Sequence, residues 1–153
     1  MSKAFTKEDD AGQEADLPDR AISPHPNLVT AEGLAQIEAN IARLTEEQGM
    51  AREAADIAAA ATAARELRYW NARRATAKLT EPKPSAQVQF GSRVTIKQPD
   101  GSTRAYRIVG TDEGDPARGT LSYASPLAQE LMGKEIGDEV VFGARREEIV
   151  DVT

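Results

Sequence analysis

The sequence predicts an α+β protein in which an N-terminal antiparallel helical hairpin, built as a coiled coil, precedes a small antiparallel-sheet domain. Residues 50–81 contain neither glycine nor proline, and the segment before them carries apolar residues at coiled-coil spacing. Pro82 and Pro84 then end the helical region, because proline cannot continue a helix. Beyond them, apolar and polar residues alternate between turn signals, which is typical of short strands.

These changes in composition divide the chain into three parts: a flexible acidic tail at 1–27, the helical hairpin at 28–81 and the sheet domain at 82–153. Residues 1–28 contain six acidic and three basic residues, three prolines and few large apolar side chains. We expect such a segment to stay flexible, because it cannot bury enough surface to order itself. His25 is expected to be a solvated linker residue, since no second metal ligand lies nearby.

The overall composition favours a protein partner in a reducing compartment. The chain has 153 residues, no cysteine and a net charge of −6, and 29% of its residues are charged. A membrane span, a disulfide framework and strong binding to free nucleic acid are therefore not expected. Residues 1–13 lack the apolar core of a secretory signal, so the expected location is cytoplasmic.

The helical region begins at Thr30, whose side chain can cap the first turn. Leu34, Ile37, Ile41 and Leu44 follow at steps of three, four and three, which forms a seam that needs a partner helix. One alternative is an unbroken helix of about 50 residues, near 75 Å long, which would have to dimerise.

The other alternative is a hairpin that reverses near Asp56. It sets Leu44 opposite Tyr69 and Trp70, and Leu34 opposite Leu79, and so buries the seam within one molecule. The sequence therefore favours the hairpin and a monomer.

The sheet domain is predicted from alternation and turn chemistry. Val88, Phe90, Val94 and Ile96 alternate with polar residues, and 98–101 supplies a turn. Further strands are expected at Tyr106 and Ile108, Leu121 and Tyr123, 140–142 and 148–150, with one short helix at 126–131.

Several motifs in this domain resemble a known family. Ser-Pro-Leu-Ala at 125–128, Leu-Met-Gly-Lys-Glu-Ile-Gly-Asp at 131–138 and Tyr-Arg-Ile-Val-Gly-Thr-Asp-Glu at 106–113 resemble the C-terminal domain of the bacterial transcript cleavage factors GreA and GreB. Residues 29–34, followed by helix, resemble the start of their N-terminal coiled-coil finger. The resemblance implies an FKBP-like sheet domain, a shape that does not itself imply isomerase activity, and RNA polymerase as partner. It also implies entry into the secondary channel and indirect contact with RNA or DNA in the elongation complex.

The turn of the hairpin departs from the family pattern, which is Gly-Asp-Leu-x-Glu-Asn-x-Glu-Tyr. In residues 55–63, Asp56 matches the first acid, but Ala59 stands where the second would be. The resemblance implies that these acids help to hold a second Mg²⁺ in the polymerase active site. Asp56 is therefore the candidate tip acid and the candidate Mg²⁺ contact, and no intrinsic cofactor is expected.

Because Mg²⁺ binds mainly through carboxylates, losing one of two acids should remove much of its recruitment. The leading hypothesis is a polymerase regulator, not itself an enzyme, with weak or no stimulation of transcript cleavage. One alternative is a cleavage-competent factor that uses Asp56 with a neighbour such as Glu53. The other is an FKBP-like interaction module unrelated to transcription.

The candidate polymerase-binding residues are those that match the part of the family's C-terminal domain that grips the channel rim. They are Asp112, Glu113, Ser125, Pro126 and Leu127. Ser125 and Pro126 also read as a helix N-cap with proline at the first helical position. The arginines on and beside the second arm, at 52, 65, 68, 73 and 74, are interpreted as solvated faces and i,i+4 pairs.

Overall fold

A computed structural model describes residues 17–153, so the tail predicted for residues 1–16 lies outside the described part of the chain. Two compact units are present. The helical unit comprises residues 17–24 and Ala35–Thr76, and the sheet unit comprises His25–Leu34 and Ala77–Thr153. These limits differ from the predicted ones, because residues 25–34 and 77–81 group with the sheet rather than with the helices.

The helical unit is built on two antiparallel helices, α1 at Ala31–Glu53, which belongs to this unit from Ala35 onward, and α2 at Ile57–Thr76. Ile37, Leu44 and Ala51 are buried along α1 at seven-residue spacing, as a seam against a partner helix requires. The reversal falls at 54–56, where Ala55 has a φ of 54°. The predicted hairpin and the position of its turn are therefore confirmed.

The second helix is shorter than the sequence suggested, because it ends at Thr76. Leu79, expected to face Leu34 in the seam, is 55% exposed. It lies instead in strand β2, Lys78–Leu79, which pairs in parallel with strand β1, Leu28–Val29. The predicted contact between Leu34 and Leu79 across the helices is wrong, since the chain leaves the helix to make this pairing.

The predicted flexibility extended to residue 27, but residues 17–27 make specific contacts. In the helical unit the Arg20 guanidinium lies 3.8 Å from the centre of the Tyr69 ring. In the sheet unit the Tyr123 hydroxyl donates a hydrogen bond to the carbonyl of Pro26. A cation over an aromatic face and a buried hydroxyl both favour a fixed position for the segment that they contact.

The sheet unit contains a five-stranded sheet and a short helix. The strands are β3 at Arg93–Lys97, β4 at Thr103–Val109, β5 at Thr120–Ser122, β6 at Glu139–Phe142 and β7 at Arg145–Val152, in the order β5-β4-β3-β7-β6. All neighbouring pairs are antiparallel except β4 with β5, which are parallel. Helix α3 spans Pro126–Leu131. The predicted α+β fold, two long helices followed by a mostly antiparallel sheet domain, is confirmed.

The core of the sheet unit lies between one face of the sheet and α3. Val94 and Ile96 of β3 are buried while their neighbours are more exposed, as the alternation predicted. Ala128 and Leu131 of α3 are fully buried against the same cluster. None of the helices in the described residues combines the length and hydropathy needed to cross a bilayer.

Candidate functional site

Asp56 lies at the tip of the hairpin, as predicted, and its side chain is exposed. Its Oδ1 accepts a hydrogen bond from the backbone N–H of Ala59 at 3.1 Å. The carboxylate therefore caps the first turn of α2, where it satisfies a free N–H and faces the positive end of the helix dipole. Asp56 has a structural role in the turn besides any chemistry that it performs.

The position predicted for a second acid holds Ala59, in the first turn of α2. Glu53, the alternative neighbour, is the last residue of α1 and is exposed. Within residues 17–153 no group of three or more His, Asp or Glu side chains is placed to hold a metal ion. Asp56 offers a single carboxylate with one oxygen already engaged, so Mg²⁺ at this point would need ligands from another molecule.

Several arginines of the hairpin form ion pairs or are buried, unlike side chains on a solvated face. Arg68 pairs with Asp19 at 2.6 Å, and Arg74 with Glu38 at 3.4 Å. Arg73 is only 1% exposed, and Arg65 has a buried Nε without a hydrogen-bond partner in the described part of the chain. The predicted solvated face is therefore wrong for Arg73, which packs inside the unit.

Glu113 has an internal role that the sequence did not indicate. Its carboxylate accepts hydrogen bonds from the backbone N–H of Thr30 at 3.2 Å and of Gly110 at 3.0 Å, and from the Thr30 hydroxyl. The Thr30 Oγ1 in turn accepts from the N–H of Gly33 at 3.0 Å, so the predicted Thr30 cap is present. Glu113 thus fixes the start of α1 within the sheet unit.

Gly33 is required by this arrangement. A Cβ at Gly33 would overlap the carboxylate of Glu113, whose Oε1 would lie 2.5 Å away. A glycine in the first turn of a helix is unfavourable by about 1 kcal/mol relative to alanine. Its presence at position 33 was the feature of the sequence that could have indicated a close contact there. The sequence could not say which residue approaches.

Glu32 lies next to this cap and was not predicted to belong to the site. A hydrogen bond to its own backbone N–H, and then the Arg107 guanidinium, lower the pKa of Glu32 below its usual value. Its Oε2 lies 3.3 Å from Nη1 of Arg107. The pair links the start of α1 to strand β4.

The remaining predicted docking residues lie in loops at one end of the sheet. Strands β4 and β5 are parallel neighbours that end opposite each other at Val109 and Ser122. The loop that contains Asp112 follows β4, and the turn that leads to Ser125 follows β5, so both leave the sheet at the same end. The structure therefore brings the two predicted stretches together.

Ser125 begins α3 as the sequence indicated. Its Oγ accepts from the N–H of Ala128 at 3.3 Å, and Pro126 occupies the first helical position. Pro126 is exposed, whereas Leu127 packs against the core. Pro126 is therefore the most accessible of the five candidates, and the other four are partly exposed.

The sheet domain is similar in sequence to known proteins. Residues 83–153 match the family described as "Transcription elongation factor, GreA/GreB, C-term". GreA of Bacillus cytotoxicus is 45% identical over 73 residues, which are 44% of this chain and 46% of that protein. GreB of Haemophilus influenzae is 46% identical over 59 residues, 39% of this chain and 37% of that protein.

The matched part of the chain spans less than half the length of these relatives. It defines a C-terminal domain of the type found in transcription elongation factors. Residues 83–153 are therefore similar to the C-terminal domain of the GreA/GreB family, and the resemblance found in residues 106–113 and 125–138 is confirmed.

Solved structures of similar proteins include GreA factor homolog 1 (Gfh1) of Thermus thermophilus. That chain is 17% identical, with 82% of this chain and 97% of that chain covered, at a TM-score of 0.42. The GreA/GreB factor of Nitrosomonas europaea is 19% identical, with 82% and 98% covered and a TM-score of 0.42. The likeness to the GreA/GreB family rests on the sequence match of residues 83–153 alone.

Proposed function

We propose that this chain is a transcription elongation regulator that binds RNA polymerase at the secondary channel and stimulates transcript cleavage weakly or not at all. The observation that carries the proposal is the hairpin tip. There Asp56 is retained as an exposed helix cap, while Ala59 occupies the place of the second acid. The family of the C-terminal domain supports polymerase as the partner.

Docking is assigned to the end of the sheet where the loops after β4 and β5 emerge. Asp112, Ser125, Pro126 and Leu127 form the proposed contact surface. Glu113 belongs to it indirectly, because its carboxylate holds Thr30 and Gly110 in place. Local rigidity of this kind favours binding, since a surface that is already ordered loses less entropy on association.

In this proposal the helical hairpin is the part of the chain that enters the secondary channel. A helix of 23 residues such as α1 is about 35 Å long, which is long enough to carry the turn well away from its base. In the channel the turn would bring Asp56 towards the polymerase active site. One carboxylate gives little help in recruiting Mg²⁺, because the metal keeps waters and needs further oxygen ligands.

The reaction itself, where it occurs, belongs to the polymerase. The chain acts as a monomeric cytoplasmic regulator without its own cofactor, and any Mg²⁺ that Asp56 touches is shared with the polymerase active site. Contact with RNA or DNA is indirect, inside the elongation complex. The net charge of −6 agrees with a protein partner rather than with free nucleic acid.

The test is binding to core RNA polymerase by a docking variant and a matched control. Asp112→Arg reverses a charge on the proposed surface and should weaken binding by about tenfold, since charge reversal at a rim disturbs complementarity. Glu139→Arg makes the same charge change on exposed strand β6, at the opposite edge of the sheet from β5, and should leave affinity unchanged.

Circular dichroism of both variants checks that the fold is intact. Equal affinities of the two variants would remove the loop surface from the proposal. No binding by the unmodified chain would remove the polymerase as partner.

A further inference from the structure

A short segment before the hairpin, residues 17–20, lies against helix α2 inside the helical unit, and we call it the strap. Arg20 makes the most specific contacts of the strap. Its Nη1 lies 2.6 Å from Oε2 of Glu66, and its guanidinium carbon lies 3.8 Å from the centre of the Tyr69 ring and 5.9 Å from that of Trp70. One side chain of the strap therefore meets a carboxylate and two aromatic rings.

Helix geometry places the three receiving side chains together. Glu66, Tyr69 and Trp70 stand at positions i, i+3 and i+4 of α2, and such residues share one face of a helix. The two rings are nearly perpendicular, with their centres 5.1 Å apart and an angle of 87° between their planes. Tyr69 is buried and Trp70 is half-buried, so packing holds both rings in place. We expect this arrangement to persist without Arg20, because all three side chains come from one regular helix.

The chemistry of this face suits a guanidinium group in particular. A guanidinium is planar and weakly hydrated, so it can lie over an aromatic ring while its N–H groups donate to a carboxylate. A lysine ammonium is a compact and strongly hydrated charge without a flat face. The Tyr69 ring and the Glu66 carboxylate use both properties of the guanidinium. The site therefore favours arginine over lysine.

The contacts that hold the strap on α2 are open to solvent. The side chains of Arg20 and Glu66 are 36% and 29% exposed, and water screens ion pairs of this kind. Arg68 pairs with Asp19 at 2.6 Å and donates to the carbonyl of Leu17 at 2.9 Å, and both of these hydrogen bonds are also exposed. The strap is thus held mainly because it belongs to the same chain, which keeps its effective concentration high. An arginine from outside can make the same contacts with the site.

Charge indicates which kind of partner could replace the strap. Without Arg20, this face of α2 presents the Glu66 carboxylate beside two aromatic rings, on a chain whose net charge is −6. Complementary charge favours a basic side chain here, and a carboxylate repels the phosphates of a nucleic acid. Arginine is enriched at protein interfaces, where it stacks and donates several hydrogen bonds at once. The occupant that fits is therefore an arginine of another protein.

We propose that Glu66, Tyr69 and Trp70 form a guanidinium-binding site in which Arg20 is the resident ligand, and that an arginine side chain of a partner protein replaces Arg20 there. The strap covers the site in the isolated chain and leaves it when the partner binds. The site is a property of the helical unit and does not depend on polymerase binding.

Trp70 is the only tryptophan of the chain, so its fluorescence reports on this site alone. Arg20→Ala vacates the site, and the probe is N-acetyl-L-arginine amide. We expect the emission of Trp70 to shift in this variant and to return towards that of the unmodified chain as the probe is added. The return should saturate, with half-saturation in the millimolar range that is typical of a small fragment. N-acetyl-L-lysine amide at equal ionic strength should require a concentration at least about fivefold higher.

Two further variants serve as controls. Arg118→Ala makes the same charge change in the sheet unit, where Arg118 pairs with Asp115, and should leave the emission of Trp70 unchanged. Glu66→Gln added to Arg20→Ala should raise the half-saturating concentration of the arginine probe at least about fivefold, because a charge-assisted hydrogen bond is lost. Equal recovery with the arginine and lysine probes would overturn the guanidinium site, as would an absence of recovery in a variant whose circular dichroism shows intact helices.

Exchange is tested in a chain that keeps Arg20 and carries a label beside the strap. The sequence has no cysteine, so Ile22→Cys, at a position that is 50% exposed, supplies one thiol for a nitroxide. The arginine probe, at about ten times its half-saturating concentration, should raise the mobility of the nitroxide to the level seen with Arg20→Ala, since it then exceeds the effective concentration of the strap. The lysine probe at equal ionic strength should not. Unchanged mobility with the arginine probe would overturn the exchange, and equal release by single-stranded RNA would overturn a protein partner.

Discussion

The close approach of Glu113 to α1 gives a sharp prediction at Gly33. Gly33→Ala places a methyl group where the carboxylate of Glu113 now lies. The carboxylate must move, and its hydrogen bonds to the N–H groups of Thr30 and Gly110 are then lost. Both of these residues are buried, so water cannot easily replace the lost acceptor.

The magnitude follows from two opposing effects. A buried N–H left without a partner costs about 1–2 kcal/mol, so losing two costs about 2–4 kcal/mol. Alanine gains about 1 kcal/mol over glycine from helix propensity. Gly33→Ala should therefore lower the free energy of unfolding by about 1–3 kcal/mol.

Gly49→Ala is the matched control, because it lies in the same helix and a Cβ there would meet nothing within 4 Å. It should raise stability by about 0.5–1 kcal/mol through propensity alone. Urea unfolding measures both. In a Glu113→Ala background the penalty of Gly33→Ala should vanish. The reasoning fails if the two glycine variants change stability in the same direction.

Three further predictions concern the tip and the start of α1. Ala55→Gly should stabilise the chain by about 0.5–1 kcal/mol in urea unfolding, because Ala55 has a positive φ that glycine adopts without strain; destabilisation would contradict this. Asp56→Ala should cost about 1 kcal/mol through loss of the cap, while Asp56→Ser should restore most of it; equal loss in both would remove the capping role. The pKa of Glu32 is lowered by the hydrogen bond to its own backbone N–H and then by Arg107, so the ionised carboxylate stabilises the fold above the ordinary glutamate pKa, and this stabilisation is lost as pH falls through the lower folded value. The stability difference between the unmodified chain and Arg107→Gln, followed by urea unfolding from neutral pH down through pH 4, should therefore shrink on acidification; a constant difference would count against the pairing.

Local patterns were sufficient to predict most of the fold. The seam residues of α1 needed a partner helix, and only a reversal near Asp56 provided one within the molecule. Alternation in residues 88–96 predicted the buried positions of β3 correctly. These features depend on neighbours in sequence, which periodicity and propensity describe well.

Pairings between distant residues could not be predicted in this way. The end of α2 at Thr76 is set by the pairing of Lys78–Leu79 with Leu28–Val29, about 50 residues earlier, and helix propensity carries no information on it. The contacts of Arg20 with α2 also join residues that are far apart in the sequence. Acidic composition predicted flexibility there, but one stacked guanidinium with an ion pair fixes the segment.

The candidate site shows the same difference between local and long-range interactions. Ser125 and Pro126 were found from a capping motif, because capping is a local interaction, and Asp56 was found from its match to the family's tip pattern, without its role as a cap. The role of Glu113 was not, because its partner Thr30 is 83 residues away. From the sequence, Glu113 was interpreted as a docking residue in a loop, because its long-range hydrogen bonds cannot be seen there.

We propose above that this chain occupies the secondary channel without efficiently promoting cleavage. The most direct measurement adds the chain to backtracked elongation complexes together with a cleavage-competent Gre factor and follows RNA cleavage. We expect that the chain alone gives little cleavage and that, in excess, it suppresses cleavage by the Gre factor in a dose-dependent way. Strong cleavage by the chain alone that is lost in Asp56→Ser would contradict this proposed function, as would an absence of any competition.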